Sequence, residues 1–186
     1  KFPARVAWLR QQLQITETDL APTACPALET WLTGINPHQA TLVFAADFTN
    51  NPSSMFGHTL LRIDTPEQTE DTRLLAYAVN YAAQTNTSNG LEFAYKGLTG
   101  GYAGAFSILP YYEKVKEYND FENRDLWEYQ LNLTPEEITQ GLKHLWEIKT
   151  VNFPYYFLSS NCSYQLLGLL EAARPNTYLR QDFPVY

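Results

Sequence analysis

Ser159-Ser160-Asn161-Cys162-Ser163-Tyr164-Gln165-Leu166-Leu167 decides how this chain is read. Asparagine is favoured just before a helix, because its side-chain oxygen satisfies a free N–H of the first turn. Asn161 therefore places Cys162 at the first helical position. The spacing predicts a helix over Cys162–Arg174, ended by Arg174-Pro175, since the residue before proline resists the α region. Cys162, Leu166, Leu169 and Ala173 fall on one stripe, so the sulfur points to the core side at the open end of the helix. A thiol there feels the positive end of the helix dipole, which favours thiolate. Lowering its pKa below 6 would raise the reactive fraction at pH 7 about thirtyfold. A plain buried cysteine fits the same position, because free Cys is among the most buried residue types.

A thiolate nucleophile generally works with a histidine. His38 follows Pro37 in a predicted loop. His144 sits mid-helix beside Lys143 and Glu147, on a face read as solvated. His58 opens an alternating run, His58–Asp64, and follows Gly57, which allows close approach of backbone or substrate. His58 is the candidate base, against the alternative of a hydrogen-bonded core histidine. The third, orienting group is Asn80, on the predicted return strand Arg73–Ala83, with Glu92 and Asp64 as alternatives. Ser54, in the turn cluster Asn50–Ser54, is a substrate-side candidate; the turn alone also accounts for it.

Outward from these residues, the pattern is that of an α+β domain. Phe2–Leu13 reads as an amphipathic helix through Val6, Leu9 and Leu13. Pro26–Leu32 reads as a second, with Gly34 as its stop. Thr41–Phe48 and Asp125–Leu133 read as strands, and Asn86–Gly90 as a turn. Tyr111–Tyr118 reads as helical. Thr134-Pro135-Glu136-Glu137 is a capping box that starts a helix running to about Lys149. Gly97, Gly100, Gly101 and Gly104 crowd together without a following Gly-Lys-Ser/Thr, so they are read as a tight loop beside a cleft and not as a P-loop. The expected division is a helical appendage over 1–39 and a catalytic domain over 40–186.

The chain has 186 residues, enough for one domain with its own core. Its net charge of −7 speaks against a general nucleic-acid binder, which needs clustered Lys and Arg. Two cysteines exclude a disulfide scaffold, although a Cys25–Cys162 bridge stays open. No HExxH, EF-hand or Walker pattern is present, and neither metal nor cofactor is expected. Lys1–Gln12 has no apolar core of a signal peptide. Thr150–Leu170 is uncharged over a membrane-span length, but its Pro154, Asn, Gln and Ser residues would go unpaired in lipid. Together with the uncharged stretches Leu74–Leu91 and Gly97–Tyr112, it is read as buried strands and a low-charge cleft. Tyr81, Tyr102, Tyr155 and Tyr156 are candidate cleft-wall residues, with simple packing as the alternative.

Four stretches together resemble a family. They are Phe44–Asp47 leading into Pro52-Ser53-Ser54-Met55-Phe56-Gly57-His58-Thr59, then Lys96–Tyr102, Arg124–Tyr129, and Tyr156–Tyr164. They are similar to the periplasmic domain of the Lnb-type bacterial lipoprotein N-acyltransferases, over roughly residues 40–175. A histidine on a first strand, followed about a hundred residues later by Asn-Cys opening a C-terminal helix, also resembles circularly permuted papain-like (NlpC-like) enzymes. The resemblance implies an antiparallel sheet packed on the Cys-bearing helix, with Cys162 as nucleophile and His58 as base. It implies a periplasmic setting and a phospholipid or lipoprotein as acyl donor or acceptor. Membrane proximity would come through parts outside this sequence, since the family's acyltransferases continue into a membrane-embedded part that it does not contain.

The expected chemistry is attack of the Cys162 thiolate on an ester or amide carbonyl. The Cys162 N–H and the Asn161 side chain hold the oxyanion, and water or an amine resolves the thioester. Two rivals stand beside it: a cell-wall peptide amidase or peptidase with the same dyad, and a non-catalytic binding domain with a structural cysteine. A serine hydrolase is disfavoured by the lack of GxSxG.

Overall fold

Strand-forming runs with one apolar face pair here into a six-stranded antiparallel sheet of order β5-β1-β2-β3-β4-β6. The computed structural model describes residues 2–21, 23–46, 57–85, 89–118 and 125–183. The strands are β1 (Gln39–Ala45), β2 (His58–Asp64), β3 (Tyr77–Gln84), β4 (Tyr102–Pro110), β5 (Leu126–Gln130) and β6 (Phe153–Tyr155). The helices are α1 (Pro3–Leu13), α2 (Pro26–Ile35), α3 (Gly90–Thr99), α4 (Tyr111–Lys116), α5 (Pro135–Ile148) and α6 (Cys162–Ala173).

Alternation along the strands sorts residues to two faces. Leu61 and Ile63 of β2 and Val79 and Tyr81 of β3 join Ile138, Leu142 and Leu145 of α5 and Leu166 and Leu169 of α6 in the main core. Val43, Leu60, Ala78 and Tyr111 form a smaller core on the other face, under α4. That second face also buries charge. Arg62 Nε meets Asp64 Oδ1 at 2.8 Å, and Arg62 Nη1 meets Glu128 Oε2 at 2.6 Å. Thr41 donates to Asp64 at 3.2 Å, and the Tyr111 hydroxyl donates to Glu128 at 2.7 Å. Each buried charge thus faces its opposite, as burial requires.

The capping box on α5 is as expected: Thr134 and Glu137 satisfy each other's backbone N–H groups. Other expectations need correction. The 3-10 turn Arg73–Leu75 precedes β3, so the return strand starts at Tyr77. α2 passes through Gly34 to Ile35, and Asn36 takes the left-handed cap (φ 48°). The glycine cluster is not one loop. Gly97 lies inside α3, Gly100 is its left-handed cap (φ 75°), and Gly104 lies in β4. Gly97 and Gly104 are required by contact, because an added Cβ would strike the Phe157 ring and the Tyr81 hydroxyl respectively.

α1 exists, but its stripe of Val6, Leu9 and Leu13 is exposed. The helix docks end-on instead: the Glu147 carboxylate accepts from the N–H groups of Ala4 (2.7 Å) and Arg5 (3.0 Å) in its first turn. His144, on the same side of α5, is consequently half-buried and not on a solvated face. Burial lowers its pKa. Thr150–Leu170 comprises β6, a loop and the start of α6. Among the described residues no helix is long and apolar enough to cross a membrane.

Candidate active site

The ladder between β2 and β3 is short, pairing only Leu61–Ile63 with Val79–Tyr77. Beyond it, toward His58 and Asn80, a side-chain bond replaces the backbone ladder. His58 Nε2 lies 2.6 Å from Asn80 Oδ1. An Asn carbonyl can only accept, so Nε2 carries the hydrogen and Nδ1 is the nitrogen left for the sulfur. Asn80 is itself buried, and its Nδ2 donates to Ser107 Oγ at 3.4 Å. Of the three orienting candidates, the structure places Asn80 on His58. Asp64 is engaged by Arg62 and Thr41, and Glu92 pairs with Lys96.

The N-terminus of α6 meets this point. Thr59 Oγ1 and Ser163 Oγ are 2.7 Å apart, tying the first strand residues to the first helix turn. Asn161 caps the helix as predicted, its Oδ1 accepting from Tyr164 N at 3.2 Å. Its Nδ2 donates to the Phe157 carbonyl at 3.1 Å, so the amide is spent on the loop and the cap. Gly57 (φ 86°) turns the chain into β2 with no room for a Cβ, which would lie 2.6 Å from the Phe44 ring.

Both cysteines are free, so the bridge left open by the sequence does not form; Cys162 is buried. Burial alone would push its thiol pKa up. Interaction with the His58 side chain, helped by the Thr59 N–H and the Ser163 hydroxyl, overcomes this and brings it down to about 7. The shift favours the thiolate relative to an ordinary thiol. His58 moves in the complementary direction. Burial alone would lower its pKa, but Cys162 and then Asn80 raise it above the ordinary imidazole value, against the positive charge of Lys114. The two groups titrate as a pair.

The tyrosines divide. Tyr81 is fully buried and close enough to Cys162 to feel its charge; burial, with that charge, pushes its pKa up to about 12. Burial raises the pKa of Tyr155, and the nearby charge of Cys162 adds to the shift. Tyr102 does not reach the cysteine. It packs with Phe93 (5.5 Å) and Phe157 (6.4 Å) in a neighbouring aromatic cluster. Tyr156 covers Gly100. Ser54 and Ser53 lie outside the described residues. Thr59 and Ser163 were given no role from sequence, although they flank His58 and Cys162 in the two most informative segments. Among the described residues, no group of three or more His, Cys, Asp or Glu side chains is placed to hold a metal ion.

The class so defined is an α+β domain whose C-terminal helix presents a cysteine to a histidine held by an asparagine. The chain belongs to the family of the Lnb N-terminal periplasmic domain, whose profile matches residues 27–186, from α2 onward. It is a protein of the bacterial envelope, on the periplasmic side. No curated protein and no solved structure matches it.

Proposed function

We propose that this chain is a cysteine-dependent acyltransferase or hydrolase of the periplasm, on a circularly permuted papain-like fold. Its substrate would be an acyl ester or amide of a phospholipid or lipoprotein. The observation that carries this reading is geometric: Asn80 holds His58 at 2.6 Å where β2 is tied to the Cys162 end of α6 through Thr59 and Ser163, and the interaction of the two groups draws the thiol down and the imidazole up. A structural cysteine in an apolar core is expected to shift the other way. Family membership supports the envelope setting.

In this mechanism His58 takes the Cys162 proton, and Asn80 keeps the ring turned toward the sulfur. Sγ adds to the carbonyl carbon, a C–S bond forms, and the carbonyl π pair moves to oxygen. Collapse re-forms the carbonyl, breaks the bond to the alcohol or amine, and passes the His58 proton to the leaving group. The thioester is then attacked by water or an amine, which gives its proton to His58. The thiolate leaves, and the pair is restored.

The test is the pH dependence of Cys162 alkylation by iodoacetamide, followed by mass spectrometry, with Cys25 in the same digest as control. The expected half-maximal rate lies near pH 7 in the wild type. It moves to pH 8.5 or above in His58→Ala, because burial is then no longer countered. A wild-type rate still climbing past pH 8, or a sulfur blocked until denaturation, would sink the enzyme reading and leave a binding domain.

A further inference from the structure

Alternation along a strand sends neighbouring side chains to opposite faces of the sheet. His58 therefore shares the face of Leu60, and it pairs with Ala45 of β1; Leu60 and Ala45 both belong to the small core under α4. Asn80 shares that face with Ala78 of β3. Cys162 belongs to the main core on the other face, with Leu61 and Val79. The imidazole and the thiol thus come from opposite faces, beyond the point where the β2–β3 ladder ends at Leu61 and Val79. A ring in that position needs a wall on the α4 side, or it can turn away from the sulfur.

The end of α4 supplies one. Glu117 keeps helical backbone past the last turn (φ −56°, ψ −49°) and carries the chain to Tyr118. Tyr118 is 2% exposed and packs in the small core. Its ring lies against the imidazole, with centroids 6.3 Å apart and planes tilted by 53°, within the range where aromatic rings attract. The same phenol ring carries a cation. Lys114 Nζ is 5.6 Å from its centroid, and Glu117 Oε2 meets that ammonium at 2.6 Å. The Lys114 side chain is only 16% exposed, so solvent screens its charge weakly. The imidazole is enclosed in this way by three elements: Asn80 of β3 at Nε2, Cys162 of α6, and Tyr118 with Lys114 from α4. Its neighbour on β1, Ala45, carries no charge.

We propose that the Tyr118 ring, with Lys114 over it, is the positioning wall of His58 and keeps the imidazole turned to Cys162. The inference rests on the acyl-transfer reading above and adds α4 to the elements that set the pair. Tyr118 touches no reacting atom; it acts through His58. The ring stops the imidazole from swinging toward α4, so the bond to Asn80 and the approach to the sulfur persist together. Lys114 opposes the imidazolium that the sulfur favours, which limits how far the thiol can raise the histidine. The base can then release its proton again near neutral pH, as a turnover requires.

The experiment follows alkylation of Cys162 by iodoacetamide against pH in the wild type, Tyr118→Leu and Tyr118→Phe. Leucine keeps an apolar filling without a ring; phenylalanine keeps the ring. Thermal melting checks that each variant is folded. In Tyr118→Leu the alkylation midpoint is expected about one pH unit above wild type, part of the way to His58→Ala, and in Tyr118→Phe it is expected at the wild-type value. A role in packing alone would lower the melting temperature of Tyr118→Leu and leave its midpoint in place; that outcome overturns the assignment, and so does an equal displacement in both variants. Lys114→Met gives an independent decision should Tyr118→Leu fail to fold. With the cation gone, the His58 imidazole, followed by NMR of isotope-labelled histidine, is expected to titrate at a higher pH than in the wild type. An unmoved or lower titration overturns the proposal. A wild type with no alkylation midpoint near pH 7 would instead bring down the acyl-transfer reading itself.

Discussion

Strand β2 carries a buried polar cluster at each end, and the two are built differently. At Arg62 and Asp64, on the α4 face, charge answers charge: two carboxylates, a guanidinium and a phenol close on one another at 2.6–2.8 Å. At His58, where the strand meets α6, the partners are an imidazole and a thiol whose pKa it lowers, with a buried tyrosine hydroxyl, Tyr81, that has no hydrogen-bond partner among the described residues. The first cluster is closed and has nothing left to give. The second, on the proposed reading, is left open for a substrate. Burial alone does not separate structural from chemical groups; a pKa drawn toward neutrality by a specific partner is the better sign.

Substitutions should pull the two ends apart. The largest effect is expected from His58→Ala, which should lower acylation by roughly 10²–10⁴-fold while leaving the melting temperature close to wild type. Asn80→Ala should come next, costing about a hundredfold by letting the imidazole turn, as single-turnover acylation would report. Arg62→Met should invert the pattern. It leaves Asp64 and Glu128 without their cation and should destabilise by roughly 3–5 kcal/mol in urea unfolding. The folded fraction should still show the wild-type alkylation profile of Cys162. A shifted profile would mean that the clusters are coupled through β2, and the contrast between them would fail. The smallest effect, about 1 kcal/mol with no change in reactivity, is expected from Thr134→Ala in the α5 capping box, remote from both.

Much of this was legible in the sequence where a local rule acts alone. Asn161 and Thr134 announced their helices because capping is a short-range matter, and His58–Asp64 alternated over the bounds it adopts. α3 was not read, although Asn89 caps it by accepting from Leu91 and Glu92, and Glu92 pairs with Lys96 one turn on. Gly97 hid it: a mid-helix glycine reads as a break, and only the distant Phe157 ring explains it. α1 failed in the other sense. Its apolar stripe was visible, but the Glu147 carboxylate 143 residues away fixes how it docks. At the site, Cys162, His58 and Asn80 were readable as residue types beside turns and caps. The bond between Thr59 and Ser163 depends on tertiary placement, which no spacing encodes.

The bond between Thr59 and Ser163 spans 104 residues of chain. Strands β1 to β3 can zip locally as the polypeptide emerges, but a contact of that span must wait until α6 has been made. Until α6 docks, Cys162 has neither its imidazole nor its strand N–H and is an ordinary thiol. On the proposed reading, activation of the sulfur is thus tied to the docking of α6 onto β2.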